Sequence, residues 1–189
     1  MKKNICITLL AAFTLILASM ACTISAGGPE FPKTPIAIST EAIASFDEQI
    51  QAAQTAALET GLINISVNET QITSLLAARL EKQTDLPIRD PQVTLRDGQI
   101  QIYGIVSKGD LEANVRVALS VTIDQDGKPL FTITSTDFGP IPAPVGLNNT
   151  ISAYIGELFS DSLGQTASGM RLETINIADG VMTITGRVR

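Results

Sequence analysis

The chain has 189 residues, 44% hydrophobic and only 4% aromatic, with no tryptophan, no histidine and a net charge of −6. A negative surface argues against nucleic acid as a partner and against adsorption to anionic headgroups by charge alone. The missing histidine removes the commonest general base, the commonest metal ligand and every Ser-His or Cys-His arrangement.

Residues 1–21 read as a secretory signal. Lys2 and Lys3 form a positive start, Ile5 to Met20 an apolar run, and Ser19-Met20-Ala21 a small-residue close before Cys22. The segment resembles a bacterial lipoprotein signal, in which the cysteine thiol accepts a diacylglyceryl group and becomes the first residue after cleavage. Ser19 stands where that box usually has Leu. Ordinary cleavage after Ala21 and retention as an uncut anchor are the alternatives, and all three readings export the chain. Lipidation of Cys22 would hold the protein to the extracytoplasmic face of a cell membrane. Without Lys2 and Lys3 the balance is 11 basic against 19 acidic residues, a net charge of −8. Lipid, not a basic patch, would then supply the attachment, and more than one acyl chain is needed for it to be firm. Cys6 and Cys22 are the only cysteines, so the folded part has neither a disulfide nor a thiolate metal site.

From Cys22 onward 168 residues remain, enough for one domain with a core. Residues 22–38 hold Gly27, Gly28, Pro29, Pro32 and Pro35 without periodicity, and read as a semi-stiff tether. A single α+β domain is expected over 39–189. It opens with a helix, 39–60, capped by Ser39 or Thr40 and ended by Gly61. The narrow stripe of Ile43, Phe46, Ile50, Ala53 and Ala57 lets this helix lie across the domain or stand off as a stalk.

The rest of the domain, 62–189, alternates. Ile63, Ile65 and Val67 share one face of a strand, and Asn68 with Gln71 has capping-box spacing before a helix from Glu69 to Lys82. That helix carries Ile72, Leu75, Leu76 and Leu80 on one side. Val93 and Leu95, then Asp97-Gly98, then Ile100 and Ile102 form a hairpin signal. From Leu111 to Ile123 every odd residue is apolar; an unbroken strand of that length runs about 44 Å at ~3.4 Å per residue. Asp126-Gly127 turns it into Leu130 to Phe138, followed by the stiff loop Gly139–Pro144. A third helix is expected over about 148–163, with Ile151, Ile155, Leu158, Phe159 and Leu163 on one side. A final hairpin turns at Asp179-Gly180. This order argues for a long, strongly curved antiparallel sheet with amphipathic helices packed on its concave face.

Catalytic chemistry is sparse. Asp97, Asp126 and Asp179 precede glycines in turn positions, where the carboxylate supports the turn. Asp85, Asp90 and Asp97 lack calcium-loop spacing, and no Gly-rich phosphate loop precedes a strand–helix unit. No enzyme activity, cofactor or metal is expected. What remains is apolar surface of branched aliphatic side chains, suited either to acyl chains or to a packed core.

The stretches Ser66-Val67-Asn68-Glu69-Thr70-Gln71-Ile72-Thr73-Ser74-Leu75-Leu76 and Arg96-Asp97-Gly98-Gln99-Ile100-Gln101-Ile102-Tyr103-Gly104, with the long strand and Phe138-Gly139-Pro140-Ile141-Pro142, carry a resemblance. From Ile63 onward the chain resembles the YpmS-like family of membrane-anchored bacterial proteins, linked to the tubular lipid-binding superfamily. The resemblance implies a highly curved sheet wrapped on a helix with an apolar seam for lipid, and no catalytic residues. A lipoprotein signal in place of a retained anchor helix departs from that family. Candidate lining residues are Leu75, Leu76, Ile102, Val115, Val117, Leu119, Ile133, Ile155 and Phe159, with a lipid or other amphiphile as partner. The alternative is a cell-envelope scaffold with a filled core and a protein partner whose identity the residues leave open.

Overall fold

The computed structural model describes residues 24–25, 27–82, 88–108, 111–140 and 170–188. Cys22, Asp85, the expected helix at 148–163 and most of the Gly139–Pro144 loop lie outside these residues.

Two helices and eight strands are described, in the order β1 (Ile24–Ser25), α1 (Thr40–Thr60), β2 (Leu62–Asn68), α2 (Glu69–Leu80), β3 (Ile88–Arg96), β4 (Gln99–Lys108), β5 (Leu111–Ile123), β6 (Pro129–Asp137), β7 (Met170–Ala178) and β8 (Val181–Val188). The class is α+β. The strands divide between two sheets, where their order along the chain suggested one. In the larger sheet β3, β4, β5 and β6 are antiparallel neighbours, and β1 adds a short parallel pair to β5; the smaller has the order β2-β8-β7, all antiparallel. The division rests on β2 pairing with β8, Leu62 opposite Arg187. No local pattern announces so distant a partner.

Local signals set the element ends. Ser39 is extended and its side chain accepts a hydrogen bond from the Ala42 amide, while Gly61 closes α1 in the left-handed conformation at φ 72°. Asn68 and Gln71 form the full capping box at the start of α2. The β3–β4 and β7–β8 connections are two-residue turns, Asp97-Gly98 and Asp179-Gly180, with φ positive at all four residues. A type I′ hairpin requires that geometry, and Asp tolerates it as few other side chains do. The β5–β6 turn departs from expectation in one detail: Asp124, not Asp126, closes it. The Asp124 Oδ1 accepts from the amides of Asp126 and Lys128 at 2.9 and 2.8 Å.

Helix α1 is not a stalk. Phe46, Ile50, Ala53 and Ala57 are buried along its whole length, against β2 and α2. Helix α2 ends at Leu80 and buries polar as well as apolar residues, each polar one with a partner. Gln71 serves the capping box and donates to Ser45 Oγ, Ser74 Oγ accepts from the Ser39 amide, and Thr73 Oγ1 accepts from the Val93 amide. The last bond serves β3, an edge strand whose outward N–H groups would otherwise be unpaired. Glu69 Oε1 takes the next outward amide, Leu95, at 2.8 Å. The Gly180 amide of the β7–β8 turn donates to the Leu95 carbonyl.

One apolar core joins the two sheets and both helices. Its floor is one face of the larger sheet, where register aligns Leu95, Ile100 and Leu119, then Val93, Ile102 and Val117, then Gly104 and Val115. The smaller sheet contributes Ile63, Ile65, Val67, Leu172, Ile177, Met182 and Ile184. None of the described helices is long and apolar enough to cross a membrane.

Candidate functional site

The inner face of the larger sheet carries most of the residues expected to line a lipid seam, and the structure separates them into two groups. Val115, Val117 and Leu119 on β5 and Leu76 on α2 are buried, Leu119 with no exposed surface. Leu75 on α2, Ile102 on β4 and Ile133 on β6 are half-buried and pack against the same core. Ile155 and Phe159 lie outside the described residues. Strand register brings Ile102 opposite Val117 and Ile133 opposite Leu119, so these four share one face. Leu75 and Leu76 lie on α2, which packs against β3 at the edge of that face.

Ile102 is the informative position. It sits mid-strand in β4, between Val93 at 0% exposure and Val117 at 3%, yet it retains solvent access. Both of its cross-strand neighbours are sealed, so its exposure marks a local opening in the packing over β4. Ile88, Leu75 and Leu80 are also half-buried members of the core. At the far end of β5 a second half-buried group forms from Val121, Ile123, Phe131, Ile133, Met170 and Ile175.

The other face of the larger sheet is polar, and it is covered. Residues 27–38, part of the segment expected to be a semi-stiff tether over 22–38, are docked on it as a strap. The Gly27 carbonyl accepts from the Asn114 amide at 3.0 Å, and the Pro29 carbonyl accepts from the Asn114 side chain at 3.2 Å. Phe31 meets Tyr103 with ring centroids 6.0 Å apart. Farther on, the Ile36 amide donates to Gln92 Oε1 at 2.5 Å while Gln92 Nε2 donates back to the Ile36 carbonyl at 3.3 Å. The strap therefore crosses β5, β4 and β3 in turn. Its prolines have no N–H to satisfy, so a few side-chain amides suffice for the crossing backbone.

Gly28 makes the crossing possible. Its φ is +122°, and a Cβ there would overlap the Asn114 carbonyl oxygen. Gly139, at the end of β6, approaches Gly28 so closely that a Cβ on it would strike the Gly28 Cα. Sequence reading missed the strap because it has no periodicity. The available signals were the adjacent glycines and a lone aromatic among prolines.

Between the strap, the start of α2 and the polar sheet face lies an open groove of about 560 Å³, lined by Lys33, Thr34, Glu69, Thr70, Arg96, Gln101 and Tyr103 among others. Arg96 is tied to Glu69 at 2.7 Å, leaving Lys33 as the charge in this groove with no ion pair among the described residues. The groove contains none of the expected lining residues. Among the described residues no group of three or more His, Cys, Asp or Glu is placed to hold a metal ion. Comparison with models of known protein families and with characterised proteins finds no match.

Proposed function

We propose that the protein is an exported, membrane-anchored lipoprotein that holds the acyl chains of a lipid or similar amphiphile against the inner face of its larger sheet, without catalysis. The observation that carries this reading is the solvent access left at Ile102, whose cross-strand neighbours Val93 and Val117 are both sealed. In this reading Val115, Val117, Leu119 and Leu76 form a closed floor, and the guest lies over Leu75, Ile102 and Ile133. The larger sheet is read as curved about its helices. Support comes from register shifts at Asp90-Pro91 in β3 and at Thr134 in β6, since bulges bend a strand and raise its twist. The anchor reading rests on the residues around Cys22, and the non-catalytic reading on the missing histidine.

Burial of a guest is worth about 0.8 kcal/mol per CH₂ before ordering costs, so even a short seam gives several kcal/mol. The test is saturable binding of a naturally fluorescent polyunsaturated fatty acid. Ile102→Trp, which fills the opening, should weaken it about tenfold, or ~1.4 kcal/mol. Thr183→Trp, on the outer face of the smaller sheet, should leave it unchanged. Binding that is not saturable, or is equal in all three proteins, contradicts the proposal.

A scaffold with a filled core is the second reading, favoured by the complete burial of Leu119 and its β5 neighbours. It predicts no fatty-acid binding and a stoichiometric protein partner on pull-down.

A further inference from the structure

Strand β1 changes what the anchor does. Strand β6 pairs with β5 only from Arg116 onward, leaving the first part of that edge free. Ile24 and Ser25 fill it, pairing in parallel with Leu111 and Glu112, and the Gly27 carbonyl continues the ladder at Asn114. The N-terminal segment is thus woven into the sheet two residues after Cys22. Two residues reach at most about 7 Å. The headgroup layer of one leaflet is roughly 5–7 Å deep. An acyl chain on Cys22 seated in hydrocarbon therefore brings the start of β5 to the headgroups.

We propose that this end of the larger sheet, at Ile24 and Leu111, is a membrane-contact end whose partner is the phospholipid headgroup layer; the proposal rests on acylation of Cys22. The chemistry of the two ends of β5 supports it. At the start, Leu111 is 43% exposed, Arg89 and Glu112 are paired with each other, and the β4–β5 connection adds one charge of each sign, Lys108 and Asp110. At the far end, the β5–β6 turn presents Asp124, Asp126 and Lys128, all exposed, and no large apolar residue. The 13 residues of β5 separate these ends by about 40 Å. An exposed leucine among balanced charges suits the interface, whereas the far turn offers only polar and charged groups. The domain stands on one end of its sheet, with the strap as a buttress.

The experiment uses the mature acylated protein in phosphatidylcholine–phosphatidylglycerol vesicles that contain a lipid with a nitroxide quencher near its headgroup. With Cys22 acylated and Cys6 removed with the signal, an engineered cysteine is the only free thiol. A fluorophore on Leu111→Cys should be quenched several-fold more than one on Gln125→Cys. Insertion after Thr23 of about ten Gly/Ser residues, adding roughly 17 Å of flexible reach, should bring quenching at 111 down to the level at 125. Its melting temperature should be unchanged. Equal quenching at the two sites in acylated protein, or no effect of the insertion, overturns the placement alone. An intact mass with no acyl group on Cys22 overturns the anchor reading and this proposal together.

Discussion

Thr73 on α2 has no exposed surface, and its hydroxyl accepts from the amide of Val93 on an edge strand that would otherwise end unpaired. Thr73→Val keeps the volume and removes the acceptor, leaving a buried N–H without a partner. The expected cost is about 1–3 kcal/mol, read as a fall in melting temperature of roughly 2–4 °C per kcal/mol. An unchanged melting temperature would mean that water reaches β3. Gly28 sets a different limit. Gly28→Ala meets both an unfavourable φ and the Asn114 carbonyl, so destabilisation of at least ~1–3 kcal/mol is expected. Gly61→Ala has open space around its Cβ, so only its positive φ is penalised and the cost should be smaller, about 1 kcal/mol. Denaturant midpoints of the two variants measure the difference. These caps and turns were legible in the sequence because each is a local contest between a side chain and its own backbone. Ser39, Gly61, the Asn68–Gln71 box and the two Asp-Gly turns all act within four residues.

Helices and strands were legible where period alone decides, as in β5, whose 13 residues match the alternation from Leu111 to Ile123. Pairing was not. The smaller sheet joins residues more than a hundred positions apart, so one sheet was expected and two were formed. The strap failed to announce itself for a related reason. It docks through backbone carbonyls and amides to Asn114 and Gln92, and the choice of partner lies in the sheet, not in the strap. Because Gln92 makes both bonds to Ile36, Gln92→Ala should raise amide hydrogen exchange at Ile36 about tenfold, or ~1.4 kcal/mol of local opening. Amides in the core of β4 and β5 should keep their protection. Equal exchange in wild type and variant would show that the strap is held from elsewhere. The candidate lining was half legible: alternation identified the apolar face, but not which of its members stay open. Solvent access at Ile102 and closure at Val117 are outcomes of how α2 and the strands settle over a face that reads uniformly aliphatic.

Across the molecule the two faces of the larger sheet divide the work. The polar face is bound by the strap and, in the reading advanced above, ties the domain to its anchor. The apolar face carries a core that the described helices cover incompletely, and hydrocarbon from a guest would complete it. Native mass spectrometry of the protein, extracted from its membrane in mild detergent, compared with the denatured mass, tests this most directly. The account predicts a native species heavier than the denatured one by the mass of one lipid, and a smaller share of that species on Ile102→Trp substitution. Identical native and denatured masses for the wild type, under conditions that keep the fold, would contradict it.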